Sequence, residues 1–199
     1  MEKRSINFEL RAKPESRTIF GTATVFNSSY DMGWYDEEMS PESLNEADMK
    51  DVVALFNHDM NMVLARTSSG TLKLNVTGNA MEYEFEAPNT TLGNDLLEMV
   101  KRGDVYQSSF AFTVETEDWQ ERKGMKPKRV IRSIKKVYDV SPVTYPANPD
   151  TMVAKRSYEA TKEIDKDLQT IIDISVKSEI NIQNELRRNA LHLLNLKTK

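Results

Sequence analysis

Near Ser157 the hydrophobic pattern of this 199-residue chain changes period. Before it, apolar residues alternate with polar ones in short runs parted by turn residues. After it they recur at three- and four-residue steps, with no Gly or Pro to the end. A period of two buries one face of a strand, whereas a period of three to four buries one stripe of a helix. The chain therefore reads as a mainly β domain over residues 1–156, followed over 157–199 by a linker and a helical C-terminal tail.

Within the first part, Ile6, Phe8 and Leu10 alternate with polar residues, as do Ile19, Gly21, Ala23 and Val25. Asp51 to Phe56 suits a buried strand. Runs at 72–76 and 81–86 flank Thr77-Gly78-Asn79, a good hairpin turn, with Glu82, Glu84 and Glu86 expected on the wet face of an edge strand. Residues 105–114 and 130–140 are two longer strands. One helix is specified by Thr91 as its cap, by the Leu92, Leu96, Met99 and Val100 face, and by Gly103 at its end. A shorter helix starts at Ser40-Pro41, where proline suits the first helical position. In the tail, Ile164, Leu168, Ile171, Ile172, Val176 and Ile180 form an apolar stripe. That stripe packs on the domain or on a copy of itself, or serves as a targeting tail for a scaffold or shell protein. Ser157 to Lys162 reads as the linker.

Charge and composition narrow the chemistry. The whole chain carries a net charge of −4 and no cysteine, which excludes a disulfide scaffold, a thiol nucleophile and a thiolate-held zinc. Residues 160–199 hold seven Lys/Arg and six Asp/Glu, so 1–159 hold 20 and 25, a net −5. Phosphate binding needs a concentrated basic face, and nucleic acid is therefore not an expected partner. No apolar run approaches the roughly 20 residues of a membrane span, and the first residues lack the apolar core of a secretory leader. With two histidines in all, neither a metal site nor a cofactor is expected. GxGxxG, GxxxxGK[ST], HExxH and GxSxG are absent.

Three segments carry reactive side chains. Phe56-Asn57-His58-Asp59 ends an apolar run, Ser108-Ser109-Phe110-Ala111-Phe112 reads as a strand, and Tyr138 to Ala147 closes the β part with Asp139 near its start. A serine hydroxyl is a weak nucleophile until a base takes its proton, and the base works best when a third group orients it. Strand alternation places Ser108 among Phe110 and Phe112, and Ser109 on the face of smaller and more polar residues. Asp139 is the candidate to orient His58. Asp59 is weaker, and His192 lies in the tail.

In order and spacing these segments resemble the tailed-phage prohead maturation proteases of the HK97 family. The matching fragments are Phe20-Gly21-Thr22-Ala23-Thr24-Val25-Phe26, Asn57-His58-Asp59, Ala65 to Leu72, Ala87 to Thr90, Gly103-Asp104, Ser109-Phe110-Ala111-Phe112 and Asp139 to Ala147, within residues 5–156. The resemblance implies a herpesvirus-protease-like antiparallel β-barrel surrounded by helices. It implies a serine endopeptidase that acts inside the immature prohead in the host cytoplasm, or in the bacterial cytoplasm if prophage-encoded, with self-cleavage. Its substrates would be the major capsid protein's scaffolding segment or a scaffold protein. Family roles fall on His58 as general base and Ser109 as nucleophile. The herpesvirus enzymes use a second histidine, whereas here Asp139 stands where an acidic residue fits. They also act as dimers, so a homodimer is among the implied partners, although no segment marks its surface. The oxyanion donors are expected among backbone N–H groups of 145–150. Family members often carry glycine where Ala111 stands and a Pro-Gly-Ala-Phe-like stretch at Pro41-Glu42-Ser43-Leu44. The alternative to an active protease is an inactive capsid-assembly protein of the same fold.

Overall fold

The computed structural model describes residues 1–6, 10–145 and 151–197. It divides into two units, Met1–Thr151 and Met152–Lys199. The first is mixed α+β and mainly β, with eleven strands in two sheets among the described residues.

The seven-stranded sheet is built on a long antiparallel pair, β10 (Gln107–Gln120) and β11 (Lys128–Val143). β1 (Glu2–Ile6) pairs antiparallel with the outer edge of β10. The other edge of β11 is shared by two parallel partners. Its first half meets β5 (Asp36–Met39), itself paired with β4 (Ser29–Asp31), and its second half meets β6 (Val53–Leu55), paired with β7 (Val63–Arg66). The second sheet runs in the order β2 (Leu10–Ala12), β3 (Thr18–Val25), β9 (Ala80–Glu86) and β8 (Leu72–Val76). Glu82, Glu84 and Glu86 are exposed, yet β9 is an inner strand and the edge is β8.

These sheets do not close into the barrel that the resemblance implies. Among the described residues the second sheet pairs only within itself, and Lys73, Asn75 and Val76 on its outer strand face solvent. A backbone bond from Leu10 N–H to the Tyr106 carbonyl, 3.0 Å, ties β2 to the start of β10. The inner faces meet in one apolar core that includes Ile19, Met81, Tyr83, Phe85, Phe110, Phe112, Ile131 and Val140. Over this core lies α1 (Thr91–Arg102), which buries Leu96, Leu97 and Val100. Its cap is Thr90, one residue before the expected Thr91: the Thr90 side chain accepts from the Gly93 N–H. Gly103 ends it at φ 82°, where a side chain would be strained. The Ser40-Pro41 signal yields only a 3₁₀ turn, Pro41–Leu44.

From Met152 the second unit follows α2 (Thr151–Lys197), 47 residues long, whose first residue is the last of the first unit. Residues 157–162, read as a linker, are helical, since nothing among them breaks a helix. Ile164, Leu168, Ile171 and Ile172 are exposed along it. Among the described residues no helix is long and apolar enough to cross a membrane.

Charged residues fill one part of the interior. Arg129 donates to Glu2, Glu37 and Glu117, and Arg4 donates to Glu2 and Glu37. Both guanidinium groups are almost fully buried, and Arg4 lies over the Phe112 ring at 5.6 Å. Removing one partner of such a cluster leaves buried charge uncompensated, at a cost of roughly 3–5 kcal/mol. Arg129→Ala is therefore expected to lower unfolding free energy by about that amount, read from the urea midpoint. The cluster also makes stability acid-sensitive. Burial alone raises the Glu2 carboxyl, but the hydrogen bond and charge of Arg129 and the charge of Arg4 outweigh it and hold it below its ordinary value. A depressed carboxyl stabilises the fold above its unfolded titration and loses that contribution as pH falls through the folded one. Acid titration below about pH 4 should thus lower the melting temperature, and less so in Glu2→Gln.

Candidate active site

The site lies on the face of β10 and β11 opposite the aromatic core. Across the pair, Ser109 is opposite Ser141 and Ala111 is opposite Asp139, so these four side chains share one face. The register then slips, and Phe112 pairs with Val137. Tyr138 is the extra residue of this bulge, which ends the regular ladder beside Asp139.

His58 comes from the turn after β6. The parallel pairing of Val53 with Asp139 and Ala54 with Val140 carries β6 alongside the carboxylate. Asn57 and His58 then both adopt left-handed backbone, φ 55° and 57°, which folds the chain back over β11. Non-glycine residues take this conformation at a cost and are over-represented where function requires it. Asn57 anchors the turn: its N–H donates to the Pro142 carbonyl at 3.0 Å, and its Oδ1 accepts from the Thr144 N–H at 2.9 Å. Sequence reasoning missed this role, for which Asn before His at the end of an apolar run was the available signal.

The result is a linear relay. His58 Nδ1 lies 2.6 Å from Asp139 Oδ1, and His58 Nε2 lies 2.6 Å from Ser109 Oγ. A neutral ring protonated at Nδ1 satisfies both contacts, donating to the carboxylate and accepting from the hydroxyl. Ser109 Oγ is also 2.9 Å from the Arg4 carbonyl, a second acceptor for its one proton. That carbonyl belongs to β1, which the charge cluster fixes in place. Ser109 is fully buried, and the His58 and Asp139 side chains are 5% and 7% exposed. In such a setting hydrogen bonds and charges act more strongly than in water.

Ser108 and Ser109 point to opposite faces, as alternation predicts. Ser108 Oγ is 2.9 Å from the Tyr83 hydroxyl inside the core. Burial pushes the Tyr83 phenol above its ordinary value, the Ser108 hydrogen bond opposes this, and the Asp139 charge adds to it. The tyrosine lies across Gly21, where an added Cβ would sit 2.7 Å from the Tyr83 oxygen. Gly21→Ala is accordingly expected to cost about 1–3 kcal/mol, the usual penalty of overpacking, seen as a lower melting temperature.

The other sequence candidates lie elsewhere. Asp59 Oδ1 accepts from the backbone and side-chain nitrogens of Asn61 and closes the turn. The side chain of His192 and residues 146–150, where most of the oxyanion donors were expected, lie outside the described residues. Among the described residues no group of three His, Cys, Asp or Glu side chains could hold a metal ion.

A carboxylate, an imidazole and a serine hydroxyl in line can support acyl transfer through a serine ester, the chemistry of serine hydrolases. Residues 6–164 match the family of caudovirus prohead serine proteases, and the chain belongs to that family. Searches of curated proteins and of solved structures returned no match.

Proposed function

We propose that this protein is the serine endopeptidase of phage head maturation, with Ser109 as nucleophile, His58 as general base and Asp139 as the group that orients and balances the imidazole. The observation that carries the reading is the unbroken hydrogen-bond line from Asp139 through His58 to Ser109, both links 2.6 Å. Family membership supports a peptide bond as the substrate and the interior of the immature prohead as the place of action.

In this mechanism His58 Nε2 takes the Ser109 proton as Oγ attacks the peptide carbonyl carbon. The tetrahedral intermediate collapses with cleavage of the C–N bond, and the same proton passes from Nε2 to the leaving amine. Water repeats the cycle on the acyl-enzyme, its proton taken by Nε2 and returned to Oγ, which releases the carboxylic acid. Asp139 holds the Nδ1 proton in place and offsets the imidazolium charge formed in each half. General acid–base action of this kind is worth roughly 10²–10⁴-fold, and oxyanion donors must supply much of the remainder. The substrates are the scaffolding segment of the capsid protein or a separate scaffold protein, together with the protease's own chain. Residues 160–199 serve to bring the enzyme into the shell.

Co-expression with the head-shell precursors of the same phage tests this. Intact-mass measurement should find shortened shell or scaffold protein, and precursors of full mass beside folded protease would overturn the reading.

A further inference from the structure

We infer that Ser141 is a positioning residue of this site: by donating to the carboxylate oxygen that faces His58, it fixes Asp139 in line with the ring and limits the negative charge the imidazole meets. The inference rests on the roles proposed above for Ser109, His58 and Asp139.

Ser141 is fully buried and stands opposite Ser109 across the β10–β11 pair. Its Oγ is 2.7 Å from Asp139 Oδ1 and 3.3 Å from His58 Nδ1. Buried serines commonly satisfy their hydroxyl on a nearby backbone carbonyl. Here both polar contacts go to members of the relay. When Nδ1 carries its proton it cannot accept, so among the described residues the Ser141 proton has one acceptor, Oδ1. That oxygen then receives two donors, from Ser141 and from His58. An alanine would fill the same space at lower desolvation cost, so packing does not account for the hydroxyl.

Two effects follow from two donors on one oxygen. The carboxylate is fixed in orientation, which keeps Nε2 aimed at Ser109. Part of its charge is also drawn toward Ser141, so the imidazolium formed during attack is held less tightly. Loss of the hydroxyl loosens the alignment and strengthens the hold on the imidazolium. Among the described residues, Tyr83 on β9 bonds Ser108 and feels the Asp139 charge, and Asp59, the chain neighbour of His58, has its Oδ1 engaged by Asn61. Neither contacts Ser141.

The test is the rate at which an alkyl fluorophosphonate labels the full-length protein, followed from about pH 5 to pH 8, where histidine titrates. Ser141→Ala should lower the plateau rate roughly tenfold, the equivalent of one hydrogen bond to a charged group, and move the acid limb to higher pH. Ser141→Cys, a poor donor of similar shape, should fall between it and the parent protein. A parent rate in Ser141→Ala, a slower rate with the acid limb unmoved, or unfolding of both variants would overturn the inference. If the parent protein is itself not labelled at Ser109, the protease reading fails instead.

Discussion

Ser109→Ala is expected to lower proteolysis by roughly 10⁶-fold, the scale on which losing a serine nucleophile collapses catalysis by such a relay. The fold should survive. Ser109 is fully buried and its backbone is paired on both sides, to Ser5 and to Ser141, so an alanine occupies the same volume. Its hydroxyl contacts are to His58 and the Arg4 carbonyl, and neither is a packing contact. Shell precursors co-expressed with this variant should stay at full length, with the melting temperature near that of the parent. Ser108→Ala separates the two neighbouring serines. It removes a partner of Tyr83 inside the core, so it should weaken the fold by about 1 kcal/mol while leaving proteolysis in place.

Asp139→Asn is expected to cost roughly 10⁴-fold in turnover, as loss of the orienting carboxylate does in a relay of this kind. The amide oxygen still accepts from Nδ1 and from Ser141, so the side chains stay in place. The negative charge is gone, and the imidazolium formed during attack lies buried without its counter-ion. The loss should therefore appear in turnover and little in substrate affinity. Asp59→Asn is the matched control: Asp59 is the chain neighbour of His58 but closes its own turn through Asn61, and turnover should not change.

Two of the candidate residues, Ser109 and His58, rest on local rules, whereas Asp139 was singled out by its place in the segment that carries the resemblance. Period-two alternation is enough to separate Ser109 from Ser108, and the pairing of Ser109 with Ser141 away from the aromatic face follows that rule. His58 stood out through the scarcity of histidine. How the three residues meet was not legible. It depends on the parallel pairing of β6 with β11, which joins residues 86 positions apart in Val53 and Asp139, and on a left-handed turn with no glycine to announce it. The internal charge cluster was hidden for a similar reason. No local pattern marks Glu2, Glu37, Glu117, Arg4 or Arg129 as interior; only the fold brings Arg129 to Glu2 across 127 residues. The hairpin at 77–79 and the helix ended by Gly103 were carried by turn and cap residues; the hairpin lies where they put it, and the helix is capped one residue early, by Thr90. Barrel closure is a property of the whole strand order, and no local pattern fixes it. The supposed linker failed because a short polar stretch without Gly or Pro continues a helix as readily as it ends one.

The central claim is that the Ser109 oxygen, activated by His58, forms the covalent bond. Peptide mapping by mass spectrometry after fluorophosphonate treatment measures this directly. The account predicts one adduct, on the peptide containing Ser109, that is lost in His58→Ala protein of unchanged fold. An adduct on another residue, or equal labelling of Ser109 without His58, would contradict it.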